Sequence, residues 1–338
     1  MTATAGAASR AETYAIAYGI SDSGVIAGQT SRAARWETGG QITVLPDFAG
    51  PRTALAHSVN DAGVTVGIAA TGAVAHAVRW GANGTITDLD AANVTGLSSA
   101  LDVDSAGEAV GWAGDDAVRW GTDGRPTVLP GLPGGDAAGA AGVNESGAVA
   151  GTASNSSGAW QAVRWAPDGR VTALALVPGQ TEAVANEIND SGTVVGQVTV
   201  SGADRAVRWS PGGGVTVLGA LPGHVESRAL DVNGAGVAVG VSQASDGTTR
   251  AVRWDANGTI TDLGTLPGAA RSEAAGINDS GAVVGHAKVG EQYRALRWGP
   301  DGTITELPAA SNRTTTARLA KAACPTGASP LVRRVCDR

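Results

Sequence analysis

The sequence contains several copies of one repeat. At one equivalent position, some copies carry polar side chains that the repeated scaffold does not require. Just before an Ile or Val that ends a short apolar segment stand Asp102, Glu187 and Asp231 in three of the copies. Carboxylates hold hard divalent cations and polar substrates, and an imidazole can act as a general base. The predicted ligand-binding residues of this group are Tyr18, His57, Asp102, Asn186, Glu187 and Asp231. The three carboxylates are also candidate ligands for Ca²⁺ or Mg²⁺, and the alternative is a wet polar channel that binds no cofactor.

A second group of candidates lies in segments that connect the strands. His224 and Glu226, together with His57, are the candidate catalytic residues. Arg228 and Arg271 are candidate ligand-binding residues. Trp112 and Trp160 are the two tryptophans outside the recurring Arg-Trp pair, and Trp160 is a candidate stacking platform on a loop. An ordinary solvated loop is the alternative for this group.

These residues are embedded in an internal repeat. The dipeptide Arg-Trp recurs with its tryptophan at positions 36, 80, 120, 165, 209, 254 and 298. Each copy contains four short stretches of strand character separated by turn residues such as Asn278-Asp279-Ser280-Gly281. Four strands in 40 to 45 residues are typical of one propeller blade. The sequence therefore predicts an all-β fold, a seven-bladed β-propeller with four antiparallel strands per blade.

The spacing within the repeat is constant except in one segment. Each tryptophan lies 23 residues before the Ile or Val of the next copy, and a glycine follows that residue by 8. All length variation lies between this glycine and the Arg-Trp pair, where the span is 7 to 13 residues. In a four-stranded meander this segment shares a face with the connections between blades. We expect a ligand at this face, the loop face, and at the adjoining mouth of the channel, with the first strand innermost.

The segments Asp262-Leu263-Gly264-Thr265-Leu266-Pro267-Gly268 and Gly276-Ile277-Asn278-Asp279-Ser280-Gly281 resemble the HAF repeat, a bacterial family of extracellular repeats. His76-Ala77-Val78-Arg79-Trp80 is the copy nearest to the His-Ala-Phe strand for which that family is named. Most other copies read Ala-Val-Arg-Trp and depart from it. The resemblance covers roughly residues 15–308 and implies an extracellular propeller-like protein without naming a reaction.

Composition narrows the classes of partner. The net charge is −7 and Lys and Arg are not clustered, so nucleic acid is an unexpected partner. No apolar run has the length of a membrane span, and we expect a monomer. The first ten residues lack the pattern of a signal peptide. Cys324 and Cys336 nevertheless suggest a disulfide, which favours an extracellular or periplasmic location over the alternative, the cytoplasm.

Three segments are expected, namely a lead-in at 1–14, the propeller at 15–308 and a tail with the disulfide at 309–338. Motifs of hydrolases, zinc proteases and phosphate-binding loops are missing from the sequence. The first functional hypothesis is a secreted binding module for a small molecule, glycan or protein. The alternative is a propeller enzyme, a lyase, hydrolase or cyclase, that uses His and carboxylates at the channel mouth with or without a divalent metal.

Overall fold

A computed structural model describes residues 14–48, 54–70, 74–90 and 96–310, which form strands joined by turns. The strands group into seven consecutive units of four. Units 1 to 3 contain β1 Ile16–Ile20, β2 Ile26–Gln29, β3 Ala33–Trp36, β4 Ile42–Val44, β5 Ala54–Val59, β6 Thr65–Ala70, β7 Ala75–Trp80, β8 Ile86–Asp88, β9 Ser98–Val103, β10 Ala109–Ala113, β11 Asp116–Trp120 and β12 Pro126–Leu129. Units 4 and 5 contain β13 Ala138–Val143, β14 Val149–Ser154, β15 Trp160–Trp165, β16 Val171–Ala173, β17 Gln180–Ile188, β18 Val194–Val200, β19 Ala203–Trp209 and β20 Val215–Val217. Units 6 and 7 contain β21 His224–Val232, β22 Ala238–Ala244, β23 Thr249–Trp254, β24 Ile260–Asp262, β25 Ala269–Ile277, β26 Val283–Val289, β27 Gln292–Trp298 and β28 Ile304–Glu306.

Each unit is an antiparallel meander whose first turn is capped by its own side chain. The Oδ1 atom of Asn189 accepts a hydrogen bond from the backbone N–H of Thr193 at 2.9 Å. Asn60 and Asn278 cap their turns in the same way. An Asn or Asp side chain that accepts from the backbone a few residues later stabilises a tight turn. The turns that the sequence predicts are therefore present.

The units form a closed ring. The first strands contact one another in the order β1, β5, β9, β13, β17, β21 and β25, and β25 contacts β1. The apolar core lies between neighbouring units, as where Val284 and Ala295 of unit 7 pack with Ile26 and Trp36 of unit 1. Radial stacking thus buries both faces of each sheet, and the chain has the architecture of a β-propeller.

The number of separate sheets differs from the prediction. Units 1 to 5 each form a four-stranded sheet, but units 6 and 7 belong to one eight-stranded sheet. Among the described residues, the ladder pairing that joins these two units is a parallel pair between Thr249 of β23 and Arg271 of β25. Seven separate blades are therefore not confirmed, because the extended hairpins of units 6 and 7 approach closely enough to pair.

The Arg-Trp pairs hold neighbouring units together. Arg35 donates to the carbonyl oxygens of Gly63 and Ala82 in unit 2. The indole N–H of Trp36 donates to the carbonyl of Pro308 at 2.7 Å, which ties unit 1 to the end of unit 7. Trp80, Trp165, Trp209 and Trp298 donate in the same way to a carbonyl that follows the fourth strand of the preceding unit. The arginine and the tryptophan of such a pair thus both donate to backbone carbonyls of neighbouring units.

Every first strand contains a β-bulge. In unit 2 the register shifts between Ala56 and Ser58, so that the ladder with β6 skips His57. The residues skipped in this way are Tyr18, His57, Leu101, Ala141, Asn186, Leu230 and Ala275. A bulge sets two residues of one strand against one of its partner. In units 1, 2, 3, 5 and 6 two adjacent residues of the first strand therefore line the ring's centre, as His57 and Ser58 do in unit 2.

The segment of variable length is mostly strand, which corrects our expectation of variable loops. In unit 5 the extra residues lengthen β18 and β19, which are joined by a turn at Ser201 and Gly202 with φ of 52° and 78°. Two consecutive positive φ values are characteristic of a tight two-residue hairpin turn. Added residues extend the hairpin because each new pair gains ladder hydrogen bonds, whereas a longer loop would gain none.

The predicted lead-in and tail fall almost entirely outside the described residues, as do Cys324 and Cys336. No helix among the described residues is long and apolar enough to cross a membrane.

A glycine of the second strand is required by close approach to the bulged strand. A Cβ atom at Gly196 would lie 1.9 Å from the carbonyl oxygen of Val184. We expect Gly196→Ala to lower the free energy of unfolding by about 1–3 kcal/mol, because the backbone must shift to relieve the overlap. Urea denaturation followed by tryptophan fluorescence measures the change.

Gly212→Ala is the matched control in the same unit, since a Cβ atom there would meet no atom within 4 Å. It should change the free energy of unfolding by no more than about 0.5 kcal/mol. Equal effects of the two substitutions would show that close approach at Gly196 does not limit stability.

Candidate functional site

A cavity of about 350 Å³ occupies the centre of the ring. All seven first strands line it, and it extends to the first turns, where Asp22, Asp61 and Glu145 stand at its rim. We expected a ligand at the loop face. This larger cavity instead lies toward the face of the tight turns, because the bulged ends of the first strands adjoin those turns.

The bulges bring together the residues singled out on the first strand. Tyr18, His57, Asp102, Asn186, Glu187 and Asp231 all line this cavity. The prediction that the first strand is innermost therefore agrees with the structure. Whether these residues bind a ligand stays a prediction.

Asp102 and Asp231 are held by hydrogen bonds that connect units. Asp102 accepts from the hydroxyl of Ser58 in unit 2 at 2.7 Å and from the backbone N–H of Val143 in unit 4 at 2.9 Å. Asp231 accepts from the backbone N–H groups of Val232 and Ile277 at 2.6 and 2.7 Å. Both oxygens of each carboxylate are thus engaged, and both side chains are fixed in the wall.

Glu187 is less engaged than the two aspartates. Its Oε1 atom accepts from the backbone N–H of Ile188 at 2.8 Å. Among the described residues, no donor bonds its Oε2 atom. The carboxylate leans toward Gly142 of unit 4, where a Cβ atom would lie 2.0 Å from Oε1. The lack of a side chain at 142 therefore gives Glu187 its space in the wall.

The three carboxylates affect one another's ionisation. Burial raises the pKa of Asp102 to about 6 and that of Asp231 to about 7. Burial also raises the pKa of Glu187 well above its usual range, and the charges of Asp102 and Asp231 raise it further. Like charges in a desolvated wall disfavour full ionisation. Near neutral pH the group consequently holds protons that it would lose in water.

His57, Tyr18 and Asn186 contribute a polar and aromatic part of the wall. The Nδ1 atom of His57 lies 2.9 Å from the carbonyl oxygen of Ala100, so that nitrogen carries the proton and donates. The rings of Tyr18 and His57 meet edge to face with centroids 6.1 Å apart. Asn186 donates to Gln197 Oε1 and to the carbonyl of Ala229, which makes it a cross-link between units 5 and 6.

The acidic rim was missed by reasoning from the sequence, which treated its residues only as turn formers. Asp61 Oδ1 accepts from the backbone N–H of Ser23, and Asp22 Oδ1 accepts from that of Asp279. Burial raises the pKa of Asp22, and the neighbouring charges of Asp279 and Asp61 add to the effect. The usable signal was the recurrence of an acid at the second residue of the turn, since a ring brings equivalent positions together.

The remaining predicted residues lie elsewhere. His224 and Glu226 are at the start of β21, at the opposite end of the strand from the cavity, so they are not brought together with His57. Arg228 and Arg271 line a second, smaller cavity. Trp112 and Trp160 are buried, with 0% and 7% of their surface exposed. The expected stacking platform at Trp160 is therefore wrong, because the long segment there is strand and its tryptophan packs inward.

The donor geometry of the described residues bears on the predicted metal site. Among the described residues, no three His, Cys, Asp or Glu side chains converge as a metal site would require. The oxygens of Asp102 and Asp231 already accept backbone or hydroxyl hydrogen bonds. A divalent cation at Asp102, Glu187 and Asp231 stays a prediction.

Comparisons with known proteins give the fold alone. No family model and no curated protein matches the chain. Puromycin hydrolase resembles it with a TM-score of 0.59 at 16% identity, covering 92% of this chain and 56% of that one. Virginiamycin B lyase from Staphylococcus aureus gives 0.55 at 14% identity, with 80% and 90% covered. Oligogalacturonate lyase in complex with manganese gives 0.54 at 12% identity, with 75% and 76% covered.

These proteins are β-propellers, which agrees with the fold described above. The chain spans about half the length of puromycin hydrolase. The resemblance to the HAF repeat stays a prediction.

The raised pKa values predict how stability depends on pH. A carboxyl whose pKa is higher in the folded state binds its proton more tightly there, so folding is favoured at low pH. The contribution of these raised pKa values to the free energy of unfolding should be lost as the pH rises from about 4 to about 8. We expect Glu187→Gln, which keeps the acceptor for Ile188, to reduce this loss and to stabilise the protein at the upper end of the range.

Urea denaturation at several pH values measures this dependence. Glu182→Gln is the control, because Glu182 is an exposed acid on the same strand. A wild-type protein whose stability rises across the same pH interval would contradict the proposed repulsion within the carboxylate group.

Proposed function

We propose that the chain is a binding module that takes a small organic cation, of the ammonium type, into its central cavity. The single observation that carries this proposal is the charge of the wall. Six carboxylates line the cavity, and none of its described lining residues is Lys or Arg. These acids are Asp22, Asp61, Asp102, Glu145, Glu187 and Asp231.

The arrangement of the charges favours a cation that enters from the turn face. Asp22, Asp61 and Glu145 lie at the rim, and Asp102, Glu187 and Asp231 lie deeper. A cleft lined by one sign of charge focuses its field and attracts ions of the opposite sign. The rim would raise the local concentration of a cation, and the deeper group would bind it.

An ammonium group suits the available acceptors better than a bare metal ion. Ca²⁺ takes six to eight oxygen ligands, and Mg²⁺ demands near-ideal octahedral geometry. The deeper aspartates already accept two hydrogen bonds each, and Glu187 Oε2 is the acceptor left over. An ammonium needs one or two good acceptors and gains from the surrounding charge. At about 350 Å³ the cavity is in the lower range for small-molecule sites.

Binding should be coupled to proton release. The pKa of Asp102 is raised to about 6 and that of Asp231 to about 7, so both are partly protonated just below neutral pH. A cation stabilises the ionised forms and lowers these pKa values. Affinity for the cation should therefore rise from about pH 5 to about pH 8. An extracellular or periplasmic location and a monomeric state remain predictions from the sequence.

Calorimetric titration with putrescine, butylamine and neutral butanol tests the proposal. We expect the two amines to bind and butanol not to bind. Glu187→Gln should weaken amine binding by about 10- to 100-fold, the cost of one charged hydrogen bond. Asp231→Asn should weaken it by a smaller factor, because Asp231 acts through its charge.

Glu182→Gln is again the control and should leave affinity unchanged. Amine binding that does not exceed butanol binding, or that is insensitive to Glu187→Gln, would contradict the proposal. Saturable binding of Ca²⁺ or Mg²⁺ with no amine binding would replace it with the metal site expected from the sequence.

An enzyme is the second candidate, and one observation favours it. Asp231, with a pKa of about 7, and His57 line the same cavity, so a general acid and a general base could act on one ligand. The bound amine, recovered and analysed by NMR after prolonged incubation, separates the two functions. An unchanged amine supports the binding module, and a product that disappears in His57→Ala supports the enzyme.

A further inference from the structure

A second cavity, of about 270 Å³, lies between units 6 and 7 at the end of the strands opposite the first turns. The extended hairpins of these two units form its wall. The pairing of Thr249 with Arg271, which joins the units into one sheet, lies at its edge. The cavity is thus a product of the extra strand length in the variable segment.

Two guanidinium groups line this cavity. Arg228 is half-buried and Arg271 is exposed. Within the described part of the chain, neither side chain forms an ion pair or donates a hydrogen bond. Arginines elsewhere in the repeat are used differently, as when Arg208 donates to the carbonyls of Asp255 and Ala256. The donors of Arg228 and Arg271 are therefore available to a ligand.

The repeat supplies an internal comparison for these two positions. Arg228 lies four residues before the Val that ends its strand, and Arg271 lies six residues before the corresponding Ile. The residues equivalent to Arg228 are Ile16, Leu55, Ser99, Gly139, Val184 and Glu273. Those equivalent to Arg271 are Tyr14, Thr53, Leu97, Ala137, Glu182 and Glu226. The fold does not require arginine at either position, yet both occur where they share one cavity.

The opposite wall is aromatic. Tyr293 and His286 both line the cavity, and their ring centroids lie 5.4 Å apart. Tyr14 packs edge to face against Tyr293 at 5.8 Å, and the Lys288 ammonium lies 5.9 Å from the same ring. The tyrosine is consequently held between neighbours. Glu273 is the only carboxylate among the described lining residues, and in the sheet register it stands opposite His286.

We propose that this cavity binds the oxyanion of a small organic molecule. Arg228 and Arg271 donate to the oxyanion, since guanidinium groups match carboxylate, phosphate and sulfate geometry. The Tyr293 ring contacts the organic part. This site is separate from the central cavity and of the opposite charge preference, so the proposal does not depend on the function proposed above.

Titration with benzoate, phenyl phosphate and phenyl sulfate tests the site and distinguishes the three oxyanions. At least one of them should bind saturably, while benzyl alcohol and inorganic phosphate should bind more weakly. Arg228→Gln and Arg271→Gln should each weaken binding by about 10-fold or more, as expected for the loss of a charged hydrogen bond. Arg32→Gln is the control, since Arg32 is an exposed arginine of unit 1, between β2 and β3, that does not line this cavity.

The proposal is wrong if none of the three anions binds saturably. It is also wrong if a variant with both Arg228→Gln and Arg271→Gln binds the anion as tightly as the wild type. Inorganic phosphate that binds as tightly as phenyl phosphate would overturn the part assigned to Tyr293. Equal urea midpoints for the variants and the wild type would exclude unfolding as the cause of lost binding. Glu187→Gln should leave anion binding intact, which distinguishes failure here from failure at the central cavity.

Discussion

The close contact between the first and second strands of each unit is the constraint on which the central cavity depends. A bulge in the first strand pushes a backbone carbonyl toward the second strand, and glycine is the residue that fits there. At Gly67 a Cβ atom would lie 1.9 Å from the carbonyl oxygen of Leu55, and at Gly240 it would lie 2.0 Å from that of Arg228. The same bulge sets two adjacent side chains on the channel wall. The recurring glycine is thus tied to the geometry of the cavity as well as to the sheet.

The bonds that close the ring also determine its electrostatics. Asn278 donates from its side chain to the carbonyl of Ser21, and the backbone N–H of Asp279 donates to Asp22, so unit 7 is joined to unit 1 at the turn face. Acids suit this role because a carboxylate accepts strong hydrogen bonds from backbone N–H groups. Placing an acid at the second residue of five of the seven first turns concentrates negative charge at the channel mouth. The electronegative rim therefore follows from how the units are joined. The proposed cationic ligand would interact with charge that the scaffold already carries.

The repeat made the meanders, the turns and the innermost position of the first strand predictable, since each depends on local pattern and on the constant spacing of 23 and 8 residues. The bulge was not predictable, because a skipped residue such as His57 or Leu101 leaves no mark on the alternation of short strands. It brings adjacent residues of one first strand to the cavity wall, as with Asn186 and Glu187 in unit 5. The variable segment was interpreted as loop because strand pairing within it likewise leaves no mark on the sequence. Ser201-Gly202 forms a two-residue turn only once β18 and β19 are paired, and pairing depends on contacts that spacing alone does not reveal.

In a ring of repeated units, a functional residue is best sought where it differs from the equivalent residues of the other units. A second such difference should lie close to it in space. Glu187 meets this condition, because it occupies space that Gly142 of the preceding unit leaves open. Arg228 and Arg271 meet it as well, because they come from different units and different positions of the repeat and yet line one cavity. Trp160 also departs from the repeat, but it is buried and lines neither cavity. The two cavities have opposite charge and lie at opposite ends of the strands. The central cavity is built from the bulges and the second cavity from the extended hairpins. Residues of one cavity can therefore be substituted while the hydrogen bonds that hold the other stay in place.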